Sequence, residues 1–511
     1  MNALGDEATG SAQARMGSVA GPFIGAVCAF AALALAMCSQ APAAGGPGAT
    51  DQDAGARIQT DDAGVAVDGG SGDKSDAGTK DGGASDGATK DSGVAQDAAS
   101  ADAATSTLGI DPPMGWSSWS FIRKGPTEAV IEAQAQALYD SDLSTHGYVY
   151  VNIDDFYYLN PSTDVDMYGR WVVDTTKFPD GMAAVGAYVH KLGLKFGMYL
   201  TPGIPAAAVS KNTPIEGTTY SASGIAMTGT SENNYNFGAN VMLYIDFTKP
   251  GSQEFIDSWA KLLASYGVDY VKLDGVGSFD IPDVQAWSQA LKASGRTIHF
   301  ELSNALPISD GKTWAQLANG WRIDGDVECY CSATSYPLTN WNNVSARFAD
   351  DAPWQPFSGP GARNDLDSLE LGNGDNDGLT EDERKTQMSL WALAAAPLIL
   401  GTDLTNLDLG DYALLSNDEV VAVDQAGVAA KQISSGDTQV WGAAEPDGSF
   451  AVGLFNPGAS TANVTVNWSD LGISGAADVR DLWAHTDLGK STGSFTSSVV
   501  THGVTLVRVT P

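Results

Sequence analysis

Positive charge is scarce in this chain. Only 27 Lys and Arg stand against 62 Asp and Glu, a net charge of −35 over 511 residues. Nucleic acids and anionic membrane surfaces are gripped through Lys and Arg, so this balance argues against both as partners. Cysteine is scarcer still. There are four, and Cys28 and Cys38 fall in the N-terminal region, so the framework does not depend on disulfides. Cys329-Tyr330-Cys331 is spaced too tightly for a zinc knuckle. Its sulfurs are either two ordinary thiols or a strained bridge. No nucleotide-binding glycine motif and no metal-ligand cluster appears, so no cofactor and no metal is expected. Long apolar runs are also lacking. The run at 21–37 falls short of the roughly 20 residues that a membrane span needs.

That run, preceded by Arg15, fits the core of an export signal. Leu35-Ala36-Met37-Cys38 resembles a bacterial lipoprotein cleavage box with Cys38 as the lipidated residue and hence a membrane tether. Cleavage after Ala41-Pro42-Ala43-Ala44 is the alternative. Either route predicts a signal over 1–44 and a protein that leaves the cytoplasm, secreted or anchored at the cell surface. Residues 45–106 are Ala, Gly, Asp, Ser and Thr with almost no large apolar side chains. Such a segment cannot bury enough surface to offset its ordering entropy and reads as a disordered acidic linker. Its Asp-Gly pairs lack the ligand spacing of a calcium loop.

From 107 the texture changes to short apolar runs alternating with helical patterns. Strands are expected at 114–116, 148–154, 195–200, 270–274, 298–303, 321–323 and 398–401, with a less distinct one, seventh in order, at 354–358. Thr127 opens a helix. Phe255, Trp259, Leu262, Leu263 and Tyr266 share a helical face that Gly267 ends. Thr380 and Glu383 form a capping box. Eight β-then-α units predict an α/β (β/α)8 TIM barrel over 107–408. From 409 to 511 the runs are short and alternating, as in a C-terminal antiparallel β-sandwich.

In such barrels the chemistry sits at the C-terminal ends of the strands. Asp269-Tyr270-Val271-Lys272-Leu273-Asp274 ends in a carboxylate there, and Trp321-Arg322-Ile323-Asp324-Gly325-Asp326 carries a second. Two acids at strand ends are what glycoside hydrolysis requires, one to attack the anomeric carbon and one to protonate the leaving oxygen. Asp154-Asp155 could accept two sugar hydroxyl hydrogens. Lys272 shares a strand face with Asp274 and should keep it ionised. Arg322 precedes Asp326 by four residues, and Trp116 offers an apolar wall. Asp324 and Glu328 flank Asp326, and their like charges should raise its pKa. Asp375-Asn376-Asp377-Gly378 reads as an ordinary polar loop.

Several ordered segments resemble glycoside hydrolase family 27, the α-galactosidase family of clan D. They are Pro112-Pro113-Met114-Gly115-Trp116, Tyr150-Val151-Asn152-Ile153-Asp154-Asp155, Asp269 to Asp274, Trp321-Arg322 with Gly325-Asp326-Val327, and Asn364-Asp365-Leu366-Asp367. The resemblance implies a TIM barrel followed by a β-domain. It implies that Asp274 is the nucleophile and Asp326 the general acid/base of a retaining double displacement. It further implies that Trp116, Asp154, Asp155, Lys272, Arg322 and Asp367 contact the sugar of an oligo- or polysaccharide substrate. The chain departs from the family after the fifth strand, where Glu301-Leu302-Ser303-Asn304-Ala305-Leu306 replaces the usual specificity element. Ser303 and Asn304 are then the residues facing the sugar, with Asn304 standing for an acid that reads its 2-position. The α-galactoside leads. β-L-Arabinopyranosides and isomaltose release from dextran stay open, as does a non-catalytic surface glycan-binding role.

Overall fold

The computed structural model describes residues 110–511; the signal run, the acidic tract and Cys38 lie outside the described residues. Eight strands form the first domain: β1 (Met114–Ser117), β2 (Tyr150–Ile153), β3 (Lys195–Leu200), β4 (Val268–Asp274), β5 (His299–Ser303), β6 (Gly320–Arg322), β7 (Arg363–Asp365) and β8 (Leu398–Leu400). Their order is β8-β1-β2-β3-β4-β5-β6-β7, with every neighbouring pair parallel. Leu369, just beyond β7, pairs in parallel with Leu400 and closes the circle. The expected TIM barrel is therefore present.

Helices α1 (Glu128–Asp140), α2 (Met182–Lys191), α3 (Ser252–Ser265), α4 (Ile281–Ala293), α5 (Gly311–Leu317), α6 (Trp341–Trp354) and α7 (Glu381–Ala394) alternate with the strands. Their starts follow local chemistry. Thr127 accepts from the Val130 amide at the head of α1. Thr380 and Glu383 cap α7 reciprocally, at 2.8 and 3.3 Å. The apolar face of α3 buries Phe255, Ile256, Trp259 and Leu263 in the core. No helix among the described residues is long and apolar enough to cross a membrane.

The seventh strand is not where the apolar pattern suggested. Residues 354–358 hold the end of α6 and a 3-10 turn containing Pro356. Trp354 is packed there against Trp321 and Phe357 rather than paired in a sheet. Proline cannot donate to a ladder. The true strand is Arg363-Asn364-Asp365, polar throughout yet buried at Arg363 and Asn364. Arg363 meets the carbonyls of Ile110 and Gly427 at the N-terminal end of the barrel, fastening the chain that enters β1.

Two further helices, α8 (Leu409–Leu415) and α9 (Asp418–Gln425), follow β8, and the first strand of the second domain begins at Lys431. The boundary drawn at 409 therefore falls inside the helical part. The second domain pairs β9 (Lys431–Ser434), β10 (Gln439–Ala444), β11 (Phe450–Phe455), β13 (Ala476–Asp481), β14 (Thr486–Thr492) and β16 (Val504–Thr510) in one sheet. Across from it lies the pair β12 (Ala462–Asn467) and β15 (Ser494–Val499). Alternation along β10 and β11 sorts the side chains. Val440, Val452 and Leu454 face the two-stranded layer, whereas Trp441, Ala443, Ala451 and Phe455 join the barrel's core. This is why β11 reads as continuous apolar sequence: both faces are covered.

A β-carbon on Gly453 would collide with Leu393 of α7 and with Phe455. Gly453→Val should therefore pry the sandwich from the barrel, lowering stability by about 1–3 kcal/mol. Thermal denaturation is the measurement, and an unchanged midpoint would contradict a tight interface.

Candidate active site

The C-terminal ends of the strands surround a cavity of about 260 Å3. Asp154, Asp155, Lys272, Asp274, Ser303, Asn304 and Asp326 line it. The sequence had singled out each of these. Arg322 and Asp367 lie beneath, in a smaller cavity of about 40 Å3. Trp116 is not a wall of the site. It is fully buried, and its Nε1 donates to the carbonyl of Thr402 at 2.7 Å. The aromatic lining of the cavity comes instead from Trp119, three residues on, with Tyr199 and Tyr235. Trp119 stacks on Phe156 with ring centroids 6.2 Å apart.

Each acid is held by a different part of the fold. The Asp154 amide donates to Ser118 Oγ at the end of β1, at 2.9 Å. Its carboxylate Oδ2 takes Lys272 Nζ at 2.8 Å. Asp155 Oδ1 accepts from the Phe156 amide at 2.6 Å. At the end of β4, Asp274 Oδ2 accepts from the Tyr199 hydroxyl at 3.1 Å, and Ser303 also donates to this carboxyl. Asp326 follows β6. Arg322 reaches it with Nη2 at 3.1 Å and reaches Asp367 Oδ1 with Nη1 at 2.7 Å. Asp367 Oδ2 in turn accepts from the Val327 amide at 2.6 Å, so β6, β7 and the Asp326 loop are pinned together.

The electrostatics reverse one expectation. Burial raises the Asp274 carboxyl above its ordinary value and outweighs the opposing pull of Lys272. Asp326 is also penalised by burial, but Arg322 and the Tyr330 hydroxyl together overcome that penalty and hold it low. The sequence had suggested the opposite split, from the neighbours Asp324 and Glu328. In space the Asp324 carboxylate pairs with Arg347 at 3.1 Å, and Glu328 bonds Ser120. Burial also lifts Asp155 to about 7.

Under the catalytic layer lies a second group that no sequence signal exposed. His299, Glu301, Tyr270 and Asp365 fill the barrel's interior. His299 Nε2 and Glu301 Oε2 are 2.8 Å apart, but burial lowers the imidazole to about 3 and raises the carboxyl to about 8. Burial thus disfavours charge on both partners of this contact. The loop at 375–378 is also structural. Asp377 Oδ2 accepts from the amides of Gly372 and Asn373 at 2.9 and 2.8 Å and so holds the loop's backbone.

Comparison with known proteins falls into place on this geometry. Residues 111–221 and 238–426 match the family model described as alpha galactosidase A, and 435–509 match its C-terminal beta sandwich domain. The α-galactosidase of Cyamopsis tetragonoloba is 33% identical over 417 residues, covering 80% of this chain and 88% of that protein. That of Coffea arabica is 33% identical over 413 residues, covering 79% and 95%. Among solved structures, a GH27 β-L-arabinopyranosidase from Geobacillus stearothermophilus superposes with a TM-score of 0.71 at 30% identity, covering 79% of this chain and 97% of that one. The α-galactosidase I of Mortierella vinacea gives 0.63 at 27%, covering 80% and 98%. The chain belongs to the α-galactosidase family, glycoside hydrolase family 27. It is a glycosidase, an enzyme that hydrolyses O-glycosyl bonds.

Acids whose folded pKa is raised bind more protons in the native state than in the unfolded one. Stability then falls as pH rises from the unfolded value toward the folded one. For Glu301 that window runs from 4.5 to about 8. Burial likewise raises Asp283, Glu370 and Asp377 to about 8. The melting temperature should therefore drop between about pH 5 and about pH 8. Glu301→Gln should remove one group's share and flatten that drop. An unaltered slope would mean that Glu301 is ionised in the folded protein.

Proposed function

We propose that the enzyme is a retaining exo-glycosidase that removes terminal α-D-galactosyl residues from galactosides, a step in carbohydrate breakdown. The observation that carries this reading is the convergence of Asp274 and Asp326 on one cavity, each with its own cation alongside. Asp274 attacks the anomeric carbon while Asp326 gives its proton to the departing glycosidic oxygen. The C–O bond breaks and an ester joins the sugar to Asp274. Asp326, now ionised, takes a proton from water, whose oxygen attacks the same carbon and frees Asp274. Two inversions give net retention.

The remaining residues orient the sugar. Asp154, Asp155 and Lys272 present acceptors and a donor to its hydroxyls, and Ser303 and Asn304 flank the reacting face. Trp116, Arg322 and Asp367 act from behind this layer rather than by contact, as their burial argues. The reversed pKa order has a consequence. Burial favours a proton on Asp274, whereas Arg322 and Tyr330 favour the ionised Asp326; the productive form needs the reverse, Asp274 ionised and Asp326 protonated. Substrate must favour it, for instance by placing the leaving oxygen against Asp326.

A second reading keeps the mechanism and changes the sugar to a β-L-arabinopyranoside. It is favoured by the structural likeness to the Geobacillus enzyme and by the neutral Asn304 at the end of β5. Asn304 donates weakly to the Val276 carbonyl, at 3.4 Å, and its Oδ1 accepts from the Ala305 amide. Its amide is thus partly engaged within its own loop.

We further infer export, to the medium or to a surface anchor at Cys38. The apolar run at 21–37 and the acidic tract that follows support this reading. Palmitate labelling of intact cells, compared with a Cys38→Ser variant, checks the anchor.

The enzyme should be offered aryl α-galactoside, β-L-arabinopyranoside, α-N-acetylgalactosaminide and α-glucoside, with dextran alongside. Release from the α-galactoside, lost in Asp274→Ala, is the expected result. Release from another sugar would assign specificity to the segment 303–306. Silence from folded protein would favour a glycan-binding role.

A further inference from the structure

The segment after Asp326 carries Glu328-Cys329-Tyr330-Cys331, and in the structure the two cysteines are joined as a disulfide. The bridge closes over a single residue, Tyr330, whose φ is +47°. The Cys329 amide anchors this turn to the Leu338 carbonyl at 2.9 Å. The Arg123 guanidinium covers the Tyr330 ring at 4.7 Å. The hydroxyl then meets two partners. Trp119 Nε1 lies at 2.8 Å and Asp326 Oδ2 at 2.5 Å. An indole nitrogen can only donate. The tyrosine oxygen therefore accepts from Trp119, and its own proton is committed to Asp326.

Asp326 needs such support. Its side chain is 42% exposed, so packing does not fix its rotamer. Arg322 holds Oδ1 from inside the barrel, and Tyr330 holds Oδ2 from outside. The titratable and charged groups facing Asp326 are Arg322, Lys272, Asp274 and Tyr235, together with the buried Glu328. Of its partners, only Tyr330 sits on a covalently clasped turn.

We propose that Tyr330 is a positioning residue for the acid/base Asp326, locked in register by the Cys329–Cys331 disulfide, so that reduction of this bridge alters catalysis. The proposal rests on the reading of Asp326 as acid/base. Donation from Tyr330 favours the ionised carboxylate. Loss of the hydroxyl raises the proton affinity of Asp326. The limb of the kcat/KM profile governed by Asp326 then moves to higher pH, whichever limb that is.

Profiles would be measured for the wild type, Tyr330→Phe, and the wild type treated with a thiol reductant, on the substrate found active. Tyr330→Phe keeps the ring over Arg123, and its melting temperature reports folding. An upward shift of about 1 pH unit is expected in the variant. Reduction of the wild type should shift the profile the same way, and reduction of Tyr330→Phe should add nothing. A lower kcat with both limbs unmoved would overturn the positioning role. Superimposable profiles for reduced and oxidised wild type would overturn the clasp. Asp326→Asn separates the parent reading: full activity in that variant would sink the acid/base assignment itself. An inactive Asp326→Asn beside an unshifted Tyr330→Phe would sink only the role of Tyr330.

Discussion

Two cations hold the mouth of this barrel together. Lys272 and Arg322 rise from the inward faces of β4 and β6 into a ring of carboxylates. Lys272 meets Asp154, and Arg322 meets both Asp326 and Asp367. An isolated buried ammonium or guanidinium would be prohibitively costly, and so would the acids alone. Together they offset one another, and the protonation states follow from how far the two positive charges reach. Asp326, bonded to a cation, stays low. Asp274 feels Lys272 without a direct bond and ends up high. Glu301 and Asp365, deeper in the barrel, are raised by burial to about 8 and about 7. The strands are where they are partly because these side chains need one another.

Much of this was readable from the chain alone. The carboxylates that end β2 and β4, and the one beyond β6, sit where a strand-then-helix repeat puts chemistry, and a lysine two residues ahead of Asp274 shares its face by simple alternation. Apolar strands announced themselves. Arg363-Asn364-Asp365 did not, because a barrel interior that binds polar ligands is itself polar, and a polar strand looks like a loop. The opposite error came from Trp354, whose apolar ring belongs to a helix end. The hairpin strand Thr486–Thr492 is hard to read for a related reason: nearly all of it is exposed, so no alternation marks it.

The site's shell was harder to read than its centre. Trp116 and Trp119 stand three apart in one motif, and nothing in the sequence says which faces the cavity. The strand register decides it, directing Trp116 at Thr402 and leaving Trp119 at the mouth. Tyr235 comes from the long excursion between β3 and β4, where sequence periodicity is weak. The pKa order failed as an inference for a plainer reason. Neighbours in sequence need not be neighbours in space: Asp324 turns to Arg347, and the contacts that hold Asp326 low against its burial come from Arg322 and Tyr330.

The chain enters the barrel from below. Ile110 is fastened to Arg363 at the N-terminal end of β7, on the face opposite the catalytic cavity. The point where the described chain joins the barrel thus stands at the pole opposite the mouth, and a branched or bulky glycan can approach the cavity without passing it.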